Sequence, residues 1–248
     1  MGRETRDAPG AVGQPVFATT HWSVVLAAAE QESPEAAAAL EQLCLTYWRP
    51  LYVYVRRRGY GPEEAQDLTQ EFFAEFLSKG RFDLADPTRG RFRTFLLKSL
   101  QHFLADEWKK AHRIKRGGGN LPIPLDAQAA EERYCMELAE TMTPERAYER
   151  RWAMTLLEEV LAEMRRDYAQ AGKSLQFAAL QEFLWGIDES NSYARVAAEL
   201  HISEGAARVA VHRLREQYRQ RLRAQVAQIV SEPSEIDEEL RYLIEAVS

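Results

Sequence analysis

The chain has 248 residues, with 32 lysines and arginines against 38 aspartates and glutamates, so its formal net charge is −6. With 46% hydrophobic and 28% charged residues, the chain can bury a core, which excludes disorder throughout. No apolar run reaches the roughly 18 residues of a membrane span, and residues 1–14 lack the apolar stretch of a secretory signal. Cys44 and Cys135 are too few for a disulfide framework, so we expect a cytoplasmic protein.

Helix signals dominate and strand signals are nearly absent, so the predicted fold class is all-α. In the first half, serine or proline starts and glycine stops predict helices over residues 33–59 and 62–80. Apolar residues at helical spacing predict a third helix over residues 92–113.

Three glycines and two prolines in RGGGNLPIP, residues 116–124, predict a flexible linker. After it, Thr143 and Pro144 are a cap and first turn that restart the helical pattern. Further helices are predicted over residues 174–185, 193–200 and 204–229, with a short amphipathic helix capped by Ser234.

We therefore predict two small helical domains joined by a flexible linker, the second containing a helix-turn-helix. The predicted segments are a disordered N-terminus (1–15), a first domain (16–116), the linker (117–142), a second domain (143–230) and an acidic tail (231–248). The tail has a net charge of −5 after Ser231. Its apolar stripe predicts that it docks on the chain's own second domain.

Positive charge is concentrated in two segments. Residues 79–116 contain 11 basic and 4 acidic side chains, a net charge of +7, and residues 205–223 contain six arginines and one glutamate. Nucleic-acid binding depends on a local cationic surface more than on the charge of the whole chain, so this segregation favours a nucleic-acid partner. Two basic helix faces that only contact solvent are the alternative.

Residues 192–222 have the layout of a DNA-reading helix-turn-helix, with Leu200 and Ile202 expected to fill the core on either side of the turn. His201 lies at a turn position where glycine is common. Ser203 would cap the second helix, whose outward cations suit guanine edges and phosphates. The candidate DNA-binding residues here are Ser203, Arg208, His212, Arg213 and Arg215.

The second and third predicted helices differ sharply in charge. Residues 62–77 carry five acids and no base, so this helix favours a cationic partner or a solvated acidic face. The third helix mixes aromatic and cationic side chains, which can stack on bases and follow phosphates in single-stranded DNA. Most of its aromatics are expected in the core, with Trp108 the best candidate for exposure. Trp108, Lys109, Lys110 and Arg113 are its candidate DNA-binding residues.

Four segments together resemble the extracytoplasmic-function branch of the bacterial sigma factors. They are LTYWRPLYVYVRRR, AQDLTQEFFAEFL and FRTFLLKSLQHFLADEWKK in the first half, followed by SYARVAAELHISEGAARVAVHRLRE in the second. The resemblance implies a sigma factor that binds the RNA polymerase core enzyme and directs promoter-specific initiation. It would recognise a duplex upstream element and a single-stranded downstream element, and aid promoter melting.

The resemblance also implies roles for individual residues. Polymerase binding would fall to Asp67, Gln70, Glu71 and Phe72. His102 and Asp106 would join Lys109 and Lys110 at the downstream element, and Arg208, His212 and Arg213 would face the upstream element. His102 stands where the family usually has asparagine, and Ala210 where many members have arginine.

Two other classes of protein are alternatives to a sigma factor. A conventional dimeric helix-turn-helix regulator would bind duplex DNA without core polymerase. An enzyme would need a convergent cluster of acids, histidines or a nucleophile, and the five histidines show no ligand spacing. We therefore expect no enzyme activity, no cofactor and no metal. An anti-sigma factor or another regulator is a further possible partner.

Overall fold

The computed structural model describes Val25 and residues 34–113, 142–185 and 189–248. These residues are all-helical, and no strand occurs among them. The α-helices are α1 (Pro34–Arg57), α2 (Pro62–Ser78), α3 (Phe92–Arg113), α4 (Pro144–Gln170), α5 (Ser174–Leu180), α6 (Glu189–Glu199), α7 (Glu204–Ala227) and α8 (Ile236–Val247). The predicted all-α fold class is confirmed. The predicted N-terminal segment 1–15 and nearly all of the linker 117–142 lie outside the described residues.

Local sequence determines where these helices start and stop. The Thr143 side chain accepts a hydrogen bond from the Arg146 amide at the start of α4, which satisfies one of the free donors of the first turn. At the other end of α4, Gly172 has φ of 69°, a conformation that glycine adopts without steric cost. These signals explain why the predicted start of α4 agrees with the structure, whereas α6 begins four residues before its predicted start at residue 193.

The first hydrophobic cluster is built on α1, α2 and α3. Tyr47 and Leu51 of α1 pack with Phe76 of α2 and Phe92 of α3. The Phe76 ring meets Phe82 edge-on, with ring centroids 4.8 Å apart, an arrangement that aromatic pairs favour. This aromatic core fixes the relative position of the two helices that carry most of the first-half candidate residues.

Helix α4 belongs to the two large hydrophobic clusters of the described residues, and its Ala147 packs with Val53 in a small third one. Its first half places Tyr148, Trp152 and Leu156 in the same cluster as α1. Its second half places Val160 and Met164 in a second cluster with α5, α6 and α7. A domain boundary before residue 143 was predicted, yet the first core continues across that position into α4.

The second cluster supports the α6–α7 pair. Val196 and Ala197 of α6 pack against Ala207, Val211 and Leu214 of α7, and all five side chains are buried. Period-3.6 spacing places the three α7 residues on one side of the helix, which is its buried side. Ile202 differs from the expectation, because it is 38% exposed and does not fill the core beside the turn.

Helix α8 lies against both halves of the chain. It contacts α4 and α7, as its predicted docking on the second half requires, and Glu239 also reaches Arg91 and Arg93 in the first half. Its start differs from the prediction of a cap at Ser234. A short 3-10 turn, Pro233–Glu235, precedes it, and Glu232 and Glu235 bond reciprocally across that turn.

Candidate functional site

Helix α2 presents the acidic surface expected from the sequence. Asp67 is exposed, and Gln70 and Glu71 are partly exposed. Burial raises the pKa of Glu71, helped by the negative charge of Glu107 on α3 and opposed by Lys110. Burial and the Glu107 charge both disfavour the charged carboxylate of Glu71. A cationic partner at this surface would therefore stabilise its ionised form.

Phe72 does not take part in that surface. It is 2% exposed and packs against Phe73, Phe76 and Phe103, with ring centroids 5.5–5.7 Å apart. The expectation that Phe72 contacts a protein partner directly is therefore corrected. Its ring lies opposite the acidic face, where period-3.6 spacing places the core side of an amphipathic helix.

The last turns of α3 form a second exposed surface. His102 is exposed, as is Trp108 with 59% of its surface accessible. Lys109 donates to Asp106 at 3.0 Å and Lys110 to Glu107 at 2.5 Å, each pair three residues apart. Both lysines keep more than half of their side-chain surface accessible.

These ion pairs shift the pKa values of Asp106 and Lys110 in the directions that keep both side chains charged. The hydrogen bond from Lys109 lowers the pKa of Asp106, and the bond to Glu107 raises the pKa of Lys110. Exposed pairs of this kind contribute little to stability, so a phosphate can displace the acidic partner. Arg113 lies in the last turn of α3, and its side chain is outside the described residues.

The start of α3 is arranged differently, although the sequence is equally basic there. Arg93 is 5% exposed; its Nε donates to Glu149 of α4 at 3.0 Å, and it forms an ion pair with Glu239 of α8. Arg91, immediately before α3, pairs with Glu235 at 3.0 Å and Glu239 at 3.1 Å. Both arginines belong to the basic segment 79–116, but carboxylates of the same chain pair with them.

The turn between α6 and α7 contains a left-handed residue at the position where the sequence has His201 and glycine is common. His201 adopts φ of 53° and is the single non-glycine residue with positive φ in the described ranges. Ser203 caps α7, because its Oγ accepts a hydrogen bond from the Ala206 amide at 3.2 Å. The cap leaves the first turn of α7 and its side chains on the surface.

The outer face of α7 carries three of the candidate DNA-binding side chains, Arg208, His212 and Arg213. His212 and Arg213 are exposed. Arg208 keeps 65% of its side-chain surface, and its guanidinium carbon lies 5.1 Å from the centroid of the Tyr193 ring on α6. Arg208 also lies 3.9 Å from Glu204. The tyrosine and the glutamate together hold Arg208 against the start of the helix.

Arg215 points elsewhere. Its Nε donates to the Phe183 carbonyl oxygen at 3.0 Å and the side chain is partly buried. This bond ties α7 to the 3-10 turn Gln181–Trp185, so Arg215 is not placed with the outward cations as expected. A period-3.6 pattern gives the face of a helix, but a long side chain can still turn back to a carbonyl.

A cleft beside α7 was not foreseen from the sequence. Its volume is about 670 Å³, and it lies between the end of α4 and the start of α7. Its lining includes the apolar side chains of Ile202 and Val209 and the cations Lys173, Arg213 and Arg221. Val209 is 49% exposed. In the sequence, an apolar residue between arginines that face outward is the one feature that indicates this cleft.

The part of the chain that the structure describes contains neither a helix that could span a membrane nor a group of side chains that could hold a metal ion. None of its helices combines the length and apolar character needed to cross a membrane. Within residues 34–113, 142–185 and 189–248, together with Val25, no three His, Cys, Asp or Glu side chains are grouped so that they could hold a metal ion. Comparisons with protein-family models, curated proteins and solved structures found no match to the chain.

Proposed function

We propose that this chain is a sigma factor of the extracytoplasmic-function kind. It binds the bacterial RNA polymerase core enzyme through the acidic face of α2 and directs initiation at specific promoters. The observation that carries the proposal is the separation of charge on the surface. Asp67 and Glu71 lie on one helix, while Arg208 and Arg213 lie on a capped helix of the other hydrophobic cluster.

The two cationic surfaces have different chemistry and therefore suit different forms of DNA. Helix α7 offers Arg208, His212 and Arg213 from a protruding helix, which suits the edges of base pairs in a major groove. The end of α3 offers the Trp108 ring beside Lys109 and Lys110, which suits unpaired bases and their phosphates. Melting of the downstream element would cost a few kcal/mol per extruded base, offset by stacking on such a surface.

The first experiment tests binding to core polymerase by co-elution. The double variant Asp67→Lys/Glu71→Lys should abolish the complex, because it reverses the charge that meets the polymerase. The matched control is Glu41→Lys/Glu238→Lys, which makes the same change in net charge at two exposed acids on other helices. Equal binding by both double variants would contradict the proposal, as would failure of the wild-type chain to co-elute.

The second experiment tests promoter reading with reconstituted polymerase and a promoter library. Arg213→Ala should change the preferred upstream element while leaving polymerase binding intact. Loss of a bidentate arginine contact removes about 1–3 kcal/mol of discrimination, or about 5- to 150-fold. Arg219→Ala, an exposed arginine further along α7 paired with Glu216, is the control. A dimer that binds duplex DNA equally well without polymerase would instead be a conventional regulator.

A further inference from the structure

The segment 231–248 is tied to the first half of the chain at several points. Ser231 donates a hydrogen bond to the Pro87 carbonyl oxygen at 2.6 Å. Arg91 pairs with Glu235 and Glu239, and Arg93 pairs with Glu239 at 2.6 Å. An acidic segment thus covers the two arginines at the start of α3.

The centre of this contact is a charge pair buried among aromatic rings. Arg93 is 5% and Glu239 is 4% exposed. The Arg93 guanidinium carbon lies 4.2 Å from the Trp152 ring centroid and 4.9 Å from that of Tyr242. Burial alone would lower the pKa of Arg93, but Glu239 and Glu149 raise it overall. In the docked helix each buried charge needs its partner, so removal of either one leaves an uncompensated charge.

The same segment is also fixed to the second half of the chain. Asp237 accepts a hydrogen bond from Arg223 of α7. Ile236 and Leu243 are buried in the first cluster together with Val226 and Ile229 from the end of α7. Helix α8 therefore joins α3, α4 and α7.

We propose that residues 231–248 are an intramolecular clasp that keeps the chain closed and whose release increases promoter-directed transcription. The inference rests on the proposed function, since a sigma factor must place its two cationic surfaces on separate promoter elements. The clasp opposes this in two ways. It ties α3 to α7, and it neutralises Arg91, which becomes available to DNA phosphates after release.

Opening is measured first on the full-length chain without polymerase. Glu239→Gln removes one charge from the buried pair and keeps the apolar contacts of α8. Because Arg93 retains Glu149, we expect about tenfold faster hydrogen exchange of the α8 amides, less than the roughly 150- to 5,000-fold of a fully orphaned buried charge. Glu238→Gln, an exposed neighbour on the same helix, should change exchange by less than about twofold. Glu235→Gln is a second, milder variant should Glu239→Gln fail to fold.

Transcription with core polymerase then tests the consequence. Glu239→Gln should give more promoter-specific transcript than wild type at equal concentration, and Glu238→Gln should match wild type. Unchanged α8 exchange in Glu239→Gln and Glu235→Gln would overturn the clasp. Faster exchange without increased transcription would overturn its regulatory role. If wild type neither binds core polymerase nor supports transcription, the sigma-factor proposal fails, and the exchange measurements still decide whether the clasp exists.

Discussion

Truncation of Leu156 tests whether the first hydrophobic cluster unites the two halves of the chain. Leu156 lies on α4, is 1% exposed, and shares a cluster with Tyr47 and Leu51 of α1. Leu156→Ala removes buried methyl groups and leaves a cavity, which costs about 2–5 kcal/mol. For a chain of this length each kcal/mol lowers Tm by about 2–4 °C, so we expect a fall of about 4–20 °C.

The assay must separate one cooperative unit from two domains. Amide hydrogen exchange reports the protection of α1 and α4 individually, and chemical denaturation gives the overall free energy of unfolding. If the cluster is shared, Leu156→Ala lowers protection in α1 and α4 by similar factors. Leu175→Ala is the matched control, because Leu175 is 82% exposed and its truncation should change stability by less than about 0.5 kcal/mol. Unchanged α1 protection in Leu156→Ala would refute the shared unit.

Two further predictions concern single positions. His201→Gly should raise Tm relative to His201→Ala, because a left-handed φ of 53° costs a non-glycine residue about 1–2 kcal/mol; a lower Tm for the glycine variant would contradict this. Burial, with Glu163 and Glu158 nearby, raises the pKa of Glu159 from 4.5 to about 8, so the folded chain keeps a proton that the unfolded chain has released. Stability should therefore fall as pH rises from about 4.5 to 8, and the Tm of Glu159→Gln relative to wild type should increase over that range. A difference in Tm that is constant with pH would show that Glu159 is ionised in the folded chain.

Much of the helical layout could be predicted because its signals are local. The predicted start of a helix at Thr143-Pro144 and the predicted cap at Ser203 agree with the structure. Each signal depends on a few consecutive residues and on the geometry of one helical turn. The buried face of α7 followed in the same way, because period-3.6 spacing assigns Ala207, Val211 and Leu214 to one side.

The features that were missed depend on contacts between distant residues. Arg91 and Arg93 have the same sequence character as Lys109 and Lys110, and charge counting treats the four alike. They differ because Glu235 and Glu239, more than 140 positions later, reach the first pair. The same limit applies to α4, whose first half completes the core of α1 although a flexible linker was predicted before it.

The segregation of charge along the chain therefore has two consequences. Cations at the end of α3 and the start of α7 stay exposed, while those at the start of α3 hold the acidic tail. Exposed pairs such as Lys109–Asp106 are screened by salt, whereas the buried Arg93–Glu239 pair is screened much less. Raising ionic strength should then weaken DNA binding at the exposed surfaces before it opens the clasp. A regulator that releases the tail must accordingly supply a cationic surface for Glu235 and Glu239, or an acidic one for Arg91, because added salt alone does not compete well inside the buried contact.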